Sequence, residues 1–254
     1  MSDLNSRKFI NNNNFNEFTF SKNWHFDLFK LNNYDEELFS KVVNSSYCDL
    51  KNYQDLLVYS FIKQNVKPGS KILDVGGGDS RILRHFKYDY ECWNIDKLEG
   101  IGHGPRQIDS SGFRLVQDYI GNFNDELPDN YFDLVFSIST LEHIPLDNYE
   151  IYGNILSDIN RVLKPESFSI HCIDHTTDLL LGIETNVWTN PIIPFFFENQ
   201  KMINDYIPLE IAERDPELFF MSEKYYKENW ELATGKKFEE FGKPFSYNLL
   251  WKKM

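Results

Sequence analysis

The sequence predicts an α/β fold: a doubly wound, mostly parallel sheet with helices on both faces and an irregular C-terminal cap. Three observations predict it. Five short, largely apolar runs, "KILDV", "YECWNID", "RLVQD", "YFDLVFS" and "FSIHCID", follow one another along the chain. Helical segments or loops separate them, the pattern of a parallel sheet with crossovers. Three consecutive glycines follow the first run directly, where a strand would turn into a helix.

Residues 1–22 hold the run Asn11–Asn14 and read as a flexible arm, with docking of its phenylalanines on the body as the alternative. Residues 23–66 form an N-terminal helical segment. One helix is expected over Tyr34–Val43. A stronger one starts after Asp49, with Leu50, Tyr53, Leu57 and Phe61 near helical spacing. Asp49 is its expected N-cap and "KPGS" its stop.

Residues 67–175 form the core. The first strand is Lys71–Val75, Gly76–Asp79 form a turn, and Ser80 caps a helix carrying Ile82, Leu83 and Phe86. The second strand ends at Asp96, and the glycine-rich "KLEGIGHGPRQIDSSG" reads as a loop. Arg114–Asp118 is the third strand and Tyr131–Ser137 the fourth. Ile151, Ile155, Ile159 and Val162 mark an amphipathic helix that "KP" ends, and Phe168–Asp174 is the fifth strand. Residues 176–254 form a cap over the carboxyl ends of the strands, packed on the core as one domain. In it Gly235 closes a helix containing Tyr226 and Trp230, and "FSYNLLWKK" supplies an added edge strand.

The formal net charge of −13 gives little attraction for phosphate backbones or anionic membranes, so neither nucleic acid nor a membrane is an expected partner. Cys48, Cys92 and Cys172 lack close metal-ligand spacing and read as free thiols in a reducing compartment. The polar N-terminus does not read as a secretory signal, and no apolar stretch would span a bilayer. The expected location is cytoplasmic. No metal site is expected.

In an open α/β sheet, ligands bind outside the carboxyl ends of the strands. The glycine turn stands at such an end. A P-loop reading lacks the lysine that must follow the glycines. A dinucleotide fingerprint fits Gly76 and Gly78, but Arg81 occupies its third glycine position. Asp74, just before the turn, would repel a pyrophosphate and attract an ammonium or sulfonium. Asp96 ends the second strand, where a carboxylate can accept ribose hydroxyls. Asp118 ends the third, where one could accept a base amino group. Cation, ribose and amino-purine together describe S-adenosyl-L-methionine.

"ILDVGGGDSRIL", "NID", "VQDY", "LPDNYFDLVFSISTLEHIP" and "INRVLKP" stand in the order found in class I S-adenosylmethionine-dependent methyltransferases, which the chain resembles from about Lys67 to Asp174. The resemblance implies a Rossmann-like fold and release of S-adenosyl-L-homocysteine as product. It implies that Asp74, Gly76, Gly77 and Gly78 hold the methionine end of the cofactor. Asp96, with Lys97 beside it, would bind the ribose. Asp118 would meet the adenine amino group, with Tyr119 beside the ring. Ser137–Ser139 would pass under the cofactor, and "LEHIP" would line the floor towards the acceptor. Three features depart from the family pattern: Ser80 at the third glycine, "RVLKPES" in place of "RVLKPGG", and the loop after Asp96 in place of a helix.

The acceptor would be a small molecule, first of all an oxygen: a sugar hydroxyl, or a hydroxyl or carboxylate of a secondary metabolite. His143 and His175 follow the fourth and fifth strands and are the candidate bases, with a structural role as the alternative for each. Glu142 and Asp174 are weaker candidates, and His171 reads as packing inside the fifth strand. Trp24, Trp188, Phe195–Phe197, Tyr225, Tyr226 and Trp230 could wall an acceptor pocket or pack the cap. The rival readings are a non-catalytic cofactor-binding assembly partner, an N-methyltransferase, and a nicotinamide-dependent oxidoreductase.

Overall fold

The computed structural model describes residues 9–31, 34–39, 43–101, 104–145, 148–176, 191–212, 214–241 and 243–254. Trp188 lies outside them. Six strands form one sheet: β1 (Lys71–Val75), β2 (Glu91–Ile95), β3 (Arg114–Val116), β4 (Phe132–Ile138), β5 (Leu163–Thr176) and β6 (Pro244–Lys252). Their order is β3-β2-β1-β4-β5-β6. β1 to β5 are parallel and β6 runs antiparallel to β5. The chain winds outward from β1 to β3 and then returns to β4 on the other side of β1. The carboxyl ends of β1 and β4 thus flank the switch point, where a ligand can enter between crossovers that leave to opposite faces.

One face is covered by α1 (His25–Leu31), α2 (Glu36–Phe39), α3 (Leu50–Asn65) and α4 (Arg81–Phe86), and the other by α5 (Tyr149–Val162) and the helix Ile192–Asn199. The strand register assigns side chains to these faces. Asp74 pairs with Asn94 and Phe136, and Phe136 with Ile170. Successive residues alternate across a strand, so Asp74, Asn94 and Asp174 share the α3 face. Ser137, His171 and His175 lie on the α5 face. Ser80 caps α4 as expected, its hydroxyl accepting from the Leu83 N–H. Asp49 stands at the N-cap position of α3 without a capping side-chain bond.

Besides dividing the helix expected around Tyr226 and Trp230 into Glu223–Asn229 and Glu231–Thr234, the structure differs from expectation in three places. Residues 9–22 are a docked segment, not a flexible arm: Ile10, Phe15 and Phe18 are fully buried. Thr19–Ser21 run along β6, with the Asn248 N–H donating to Thr19 O (2.7 Å) and the Ser21 N–H to Ser246 O (2.9 Å). Each buried phenylalanine contributes roughly 1.5–3 kcal/mol, which outweighs the polarity of the asparagine run. β6 is therefore covered on its outer side over this stretch rather than left an open edge. Secondly, the helix expected over Tyr34–Val43 is the short α2, with residues 40–42 outside the described set. Thirdly, "KPES" bulges within a long β5. Phe132 pairs with Leu163 and Leu134 with Phe168, so three extra residues (five steps against two) loop out. Lys253 closes the bulge, accepting from the Glu166 N–H (2.8 Å) and donating to Ser167 O (3.0 Å). Among the described residues no helix is long and apolar enough to cross a membrane.

Candidate active site

The glycine turn is clamped to β2. The Gly76 N–H donates to Ile95 O (2.8 Å), the Gly77 N–H to Asn94 Oδ1 (3.2 Å) and the Gly78 N–H to Asp96 Oδ2 (2.8 Å). Asn94 Nδ2 donates back to Gly78 O (2.9 Å). Gly76 and Gly78 have φ of 68° and 51°, in the left-handed region that favours glycine. A Cβ on Gly77 would overlap Asp74 Oδ2, and one on Gly78 would stand 3.0 Å from Pro105 Cδ in the loop after β2.

Asp74 is 2% exposed. Its Oδ2 accepts from the Ser80 hydroxyl at 2.6 Å, and its Oδ1 has no hydrogen-bond partner. Burial pushes its carboxyl up to about 7, against the Ser80 bond and the Lys51 charge, which pull it down. Because the unfolded carboxyl titrates near 4, the folded ligand-free protein holds this proton between about pH 4 and 7 and loses stability as pH rises through that window. Asp74→Asn is expected to remove this part of the decline and to raise the ligand-free Tm at pH 8, by about 2–4 °C per kcal/mol relieved. Thermal denaturation of both proteins at pH 5 and pH 8 checks it. An equal decline in both would sink the assignment.

Asp96 accepts from the Gly78 N–H at Oδ2 and from the Leu98 N–H (2.7 Å) at Oδ1. A carboxylate offers about four acceptor positions, so each oxygen keeps one. Asp118 accepts from Tyr119 N (2.8 Å), Asn122 Nδ2 (2.7 Å) and Asn124 Nδ2 (2.8 Å), which leaves about one position. These bonds, Asn124 foremost, hold its carboxyl below the usual range, and the Lys97 charge acts in the same direction. Tyr119 OH donates to Glu99 Oε2 (2.6 Å), which ties the loop after β2 to the end of β3.

On the other side of the switch point, the turn after β4 rests against the glycines. Thr140 Oγ1 donates to Gly76 O (3.2 Å). Ser139, at φ 49°, holds a conformation uncommon for a residue with a side chain. Its hydroxyl lies 2.6 Å from Gln54 Oε1 of α3 and 3.0 Å from Asp174 Oδ1. Gln54 Nε2 donates to Asp174 Oδ1 (2.7 Å). Burial and the neighbouring Asp174 push the Glu142 carboxyl well up, and burial pushes Asp174 up too.

Two expected positions move. The Ser137 side chain is fully buried on the α5 face and sits 2.7 Å from His171 Nδ1, whose Nε2 is 2.7 Å from Ser169 Oγ. A cofactor contact through that hydroxyl is excluded, because the register turns it away from Asp74. His175 lies on the same face, with Phe245 and Tyr247 at 5.6 and 6.2 Å between ring centroids, whereas Asp174 faces α3. His143 ends the short turn Leu141–His143, its N–H donating to Thr140 O (3.1 Å). His171 is buried against Trp251, and burial lowers it to about 3, as a packing residue requires.

Residues 73–170 match a family model described as a methyltransferase domain. This matched segment, the strands and helices around the glycine turn, is similar to the methyltransferase domain that the family model describes. The chain is 31% identical over 112 residues to the sterol 24-C-methyltransferase of Yarrowia lipolytica, covering 42% of this chain and 28% of that protein. It is 26% identical over 204 residues to the cyclopropane-fatty-acyl-phospholipid synthase of Escherichia coli, covering 74% of this chain and 50% of that one. It thus spans half or less of the length of these curated relatives. The fold resembles phosphoethanolamine N-methyltransferase 2 of Haemonchus contortus, solved with S-adenosylhomocysteine (TM-score 0.52, 13% identity, 94% of this chain and 60% of that one). It also resembles a geranyl diphosphate methyltransferase (TM-score 0.52, 9% identity, 80% and 78%).

The residues of this site fit S-adenosylmethionine. Asp74 Oδ1 is a buried acceptor without a protein donor, and Asp96 keeps an open position on each oxygen. Sequence reasoning missed Asn94 and Gln54. A buried amide in the middle of "CWNID", and "QD" within the apolar pattern of α3, were the signals available.

Proposed function

We propose that this methyltransferase moves a methyl group from S-adenosylmethionine to a small acceptor, first of all an oxygen: a sugar hydroxyl, or a hydroxyl or carboxylate of a secondary metabolite. The observation that carries the reading is the row of acids at the carboxyl ends of β1, β2 and β3, with the glycine turn beside the first. S-adenosylmethionine supplies a methyl group already activated by its sulfonium. The protein's task is then to orient, to exclude water and to take a proton from the acceptor.

In this reading Asp74 receives the cationic methionyl end, Asp96 the ribose hydroxyls, and Asp118 the adenine amino group through its remaining acceptor position. Tyr119 lies beside the ring. Ser139 serves by holding the turn after β4 through Gln54 and Asp174. His143 is the leading base, because its turn is joined to the glycine turn through Thr140. His175, which the register turns to the α5 face, is the weaker candidate. An amine acceptor is the other reading, favoured by Glu142 and Asp174 at the same strand ends.

His143→Ala is expected to lower turnover by about 100-fold or more, the scale of general base catalysis, with the affinity for S-adenosylhomocysteine unchanged. Wild-type rates in both His143→Ala and His175→Ala would remove the histidine base. The acceptor is tested by a methyl-transfer screen over sugars, sugar nucleotides, small carboxylic acids and amines, with release of S-adenosylhomocysteine as readout. Cofactor binding without turnover on any of them would favour the assembly-partner reading.

A further inference from the structure

A narrow cavity beside the glycine turn is lined by Lys51, Asp55, Asp74, Gly77, Asp79, Ser80, Arg81 and Ile138. Most of its charges are already matched. Arg81 pairs with Asp55 and donates to Asn52 Oδ1 (2.5 Å). Asp79 pairs with Arg84. Two groups remain. Asp74 keeps Oδ1 without a hydrogen-bond partner. Lys51, at the start of α3, has no ion pair among the described residues, although its charge acts on Asp74 from beyond bonding distance. Asp74 and Lys51 therefore line the same small space without an ion pair between them. A ligand carrying both an ammonium and a carboxylate would satisfy both groups at once, and a simple cation would satisfy only one.

We propose that Lys51 binds the α-carboxylate of the cofactor's methionyl end, opposite the ammonium held by Asp74. This makes the helix before β1 part of the cofactor site and Lys51 the residue that selects a zwitterionic end. The assignment rests on the S-adenosylmethionine reading above. Arg81 completes the wall, but its guanidinium is engaged by Asp55 and Asn52, so it is the lesser contributor.

The test is calorimetric and needs no acceptor. S-adenosylhomocysteine carries the amino-acid end, and 5′-methylthioadenosine keeps the nucleoside without it. Lys51→Met is expected to weaken S-adenosylhomocysteine about 10- to 100-fold, the loss of a charge-assisted bond, and to leave 5′-methylthioadenosine within about twofold. Lys51→Arg is expected to restore most of the affinity. Lys51→Met binding S-adenosylhomocysteine like wild type, or losing both ligands equally, would overturn the assignment. A wild-type protein that binds neither ligand overturns the S-adenosylmethionine reading, and Lys51's role with it. Lys51 is exposed on a helix surface, so its variants should fold.

Discussion

Asp96→Ala is expected to weaken binding of S-adenosylhomocysteine by about 30-fold or more. Two losses add. A charged acceptor of ribose hydroxyl bonds disappears, worth about 1.5–3 kcal/mol. The acceptor that joins the Gly78 N–H to the Leu98 N–H disappears as well, so the glycine turn and the loop after β2 lose their common anchor. Asp96→Asn separates the effects, since its one remaining oxygen can keep one of those backbone bonds while the charge is gone. Its affinity should fall between wild type and alanine. Titration calorimetry on the folded variants checks the order, and an unchanged dissociation constant in Asp96→Ala would refute the ribose role.

Gly76→Ala is expected to lower stability by about 2–5 kcal/mol and to abolish cofactor binding. A left-handed φ costs a residue with a Cβ about 1–2 kcal/mol, and Gly76 sits at 68°. The new Cβ would also overlap Thr140 Cγ2 and stand 2.9 Å from Thr140 Oγ1. Overpacking of that kind adds about 1–3 kcal/mol. Thr140 cannot swing away freely, because its hydroxyl bonds Gly76 O and Ile138 O. The second substitution Thr140→Ala should recover part of the loss and leave the conformational part. Denaturation midpoints of the single and double variants measure the two separately. A Gly76→Ala protein as stable as wild type would mean that the turn is not seated against β4.

Much of this molecule was legible in its sequence. "KILDV" is β1 to the residue, because a short, largely apolar run bounded by a serine and a glycine has few other ways to be buried. Asp74, Asp96 and Asp118 could be placed from chain position alone, since strand ends in a parallel sheet converge on one edge. The phenylalanines near the N-terminus were harder to read. Composition counts the asparagines between them, but burial depends on whether a groove exists to receive Phe15 and Phe18, and α1, α3 and β6 build that groove. The bulge in β5 was invisible for a similar reason, because its closing partner is Lys253, far along the chain.

The sequence by itself determined the alternating strands and helices, the glycine turn and the row of acids that follow the strands. Those follow from local preferences and from the order of the chain. Only the tertiary structure decided which face each strand-end side chain takes. A one-residue change of register would exchange Asp174 for His175 beside α3 and bring Ser137 to the face of Asp74. Register is chosen by packing of whole layers. That is why Ser137 is lost to His171, and why Asn94 and Gln54 join the site. It also brings Lys51, twenty-three positions before Asp74, to line the same cavity as its free oxygen.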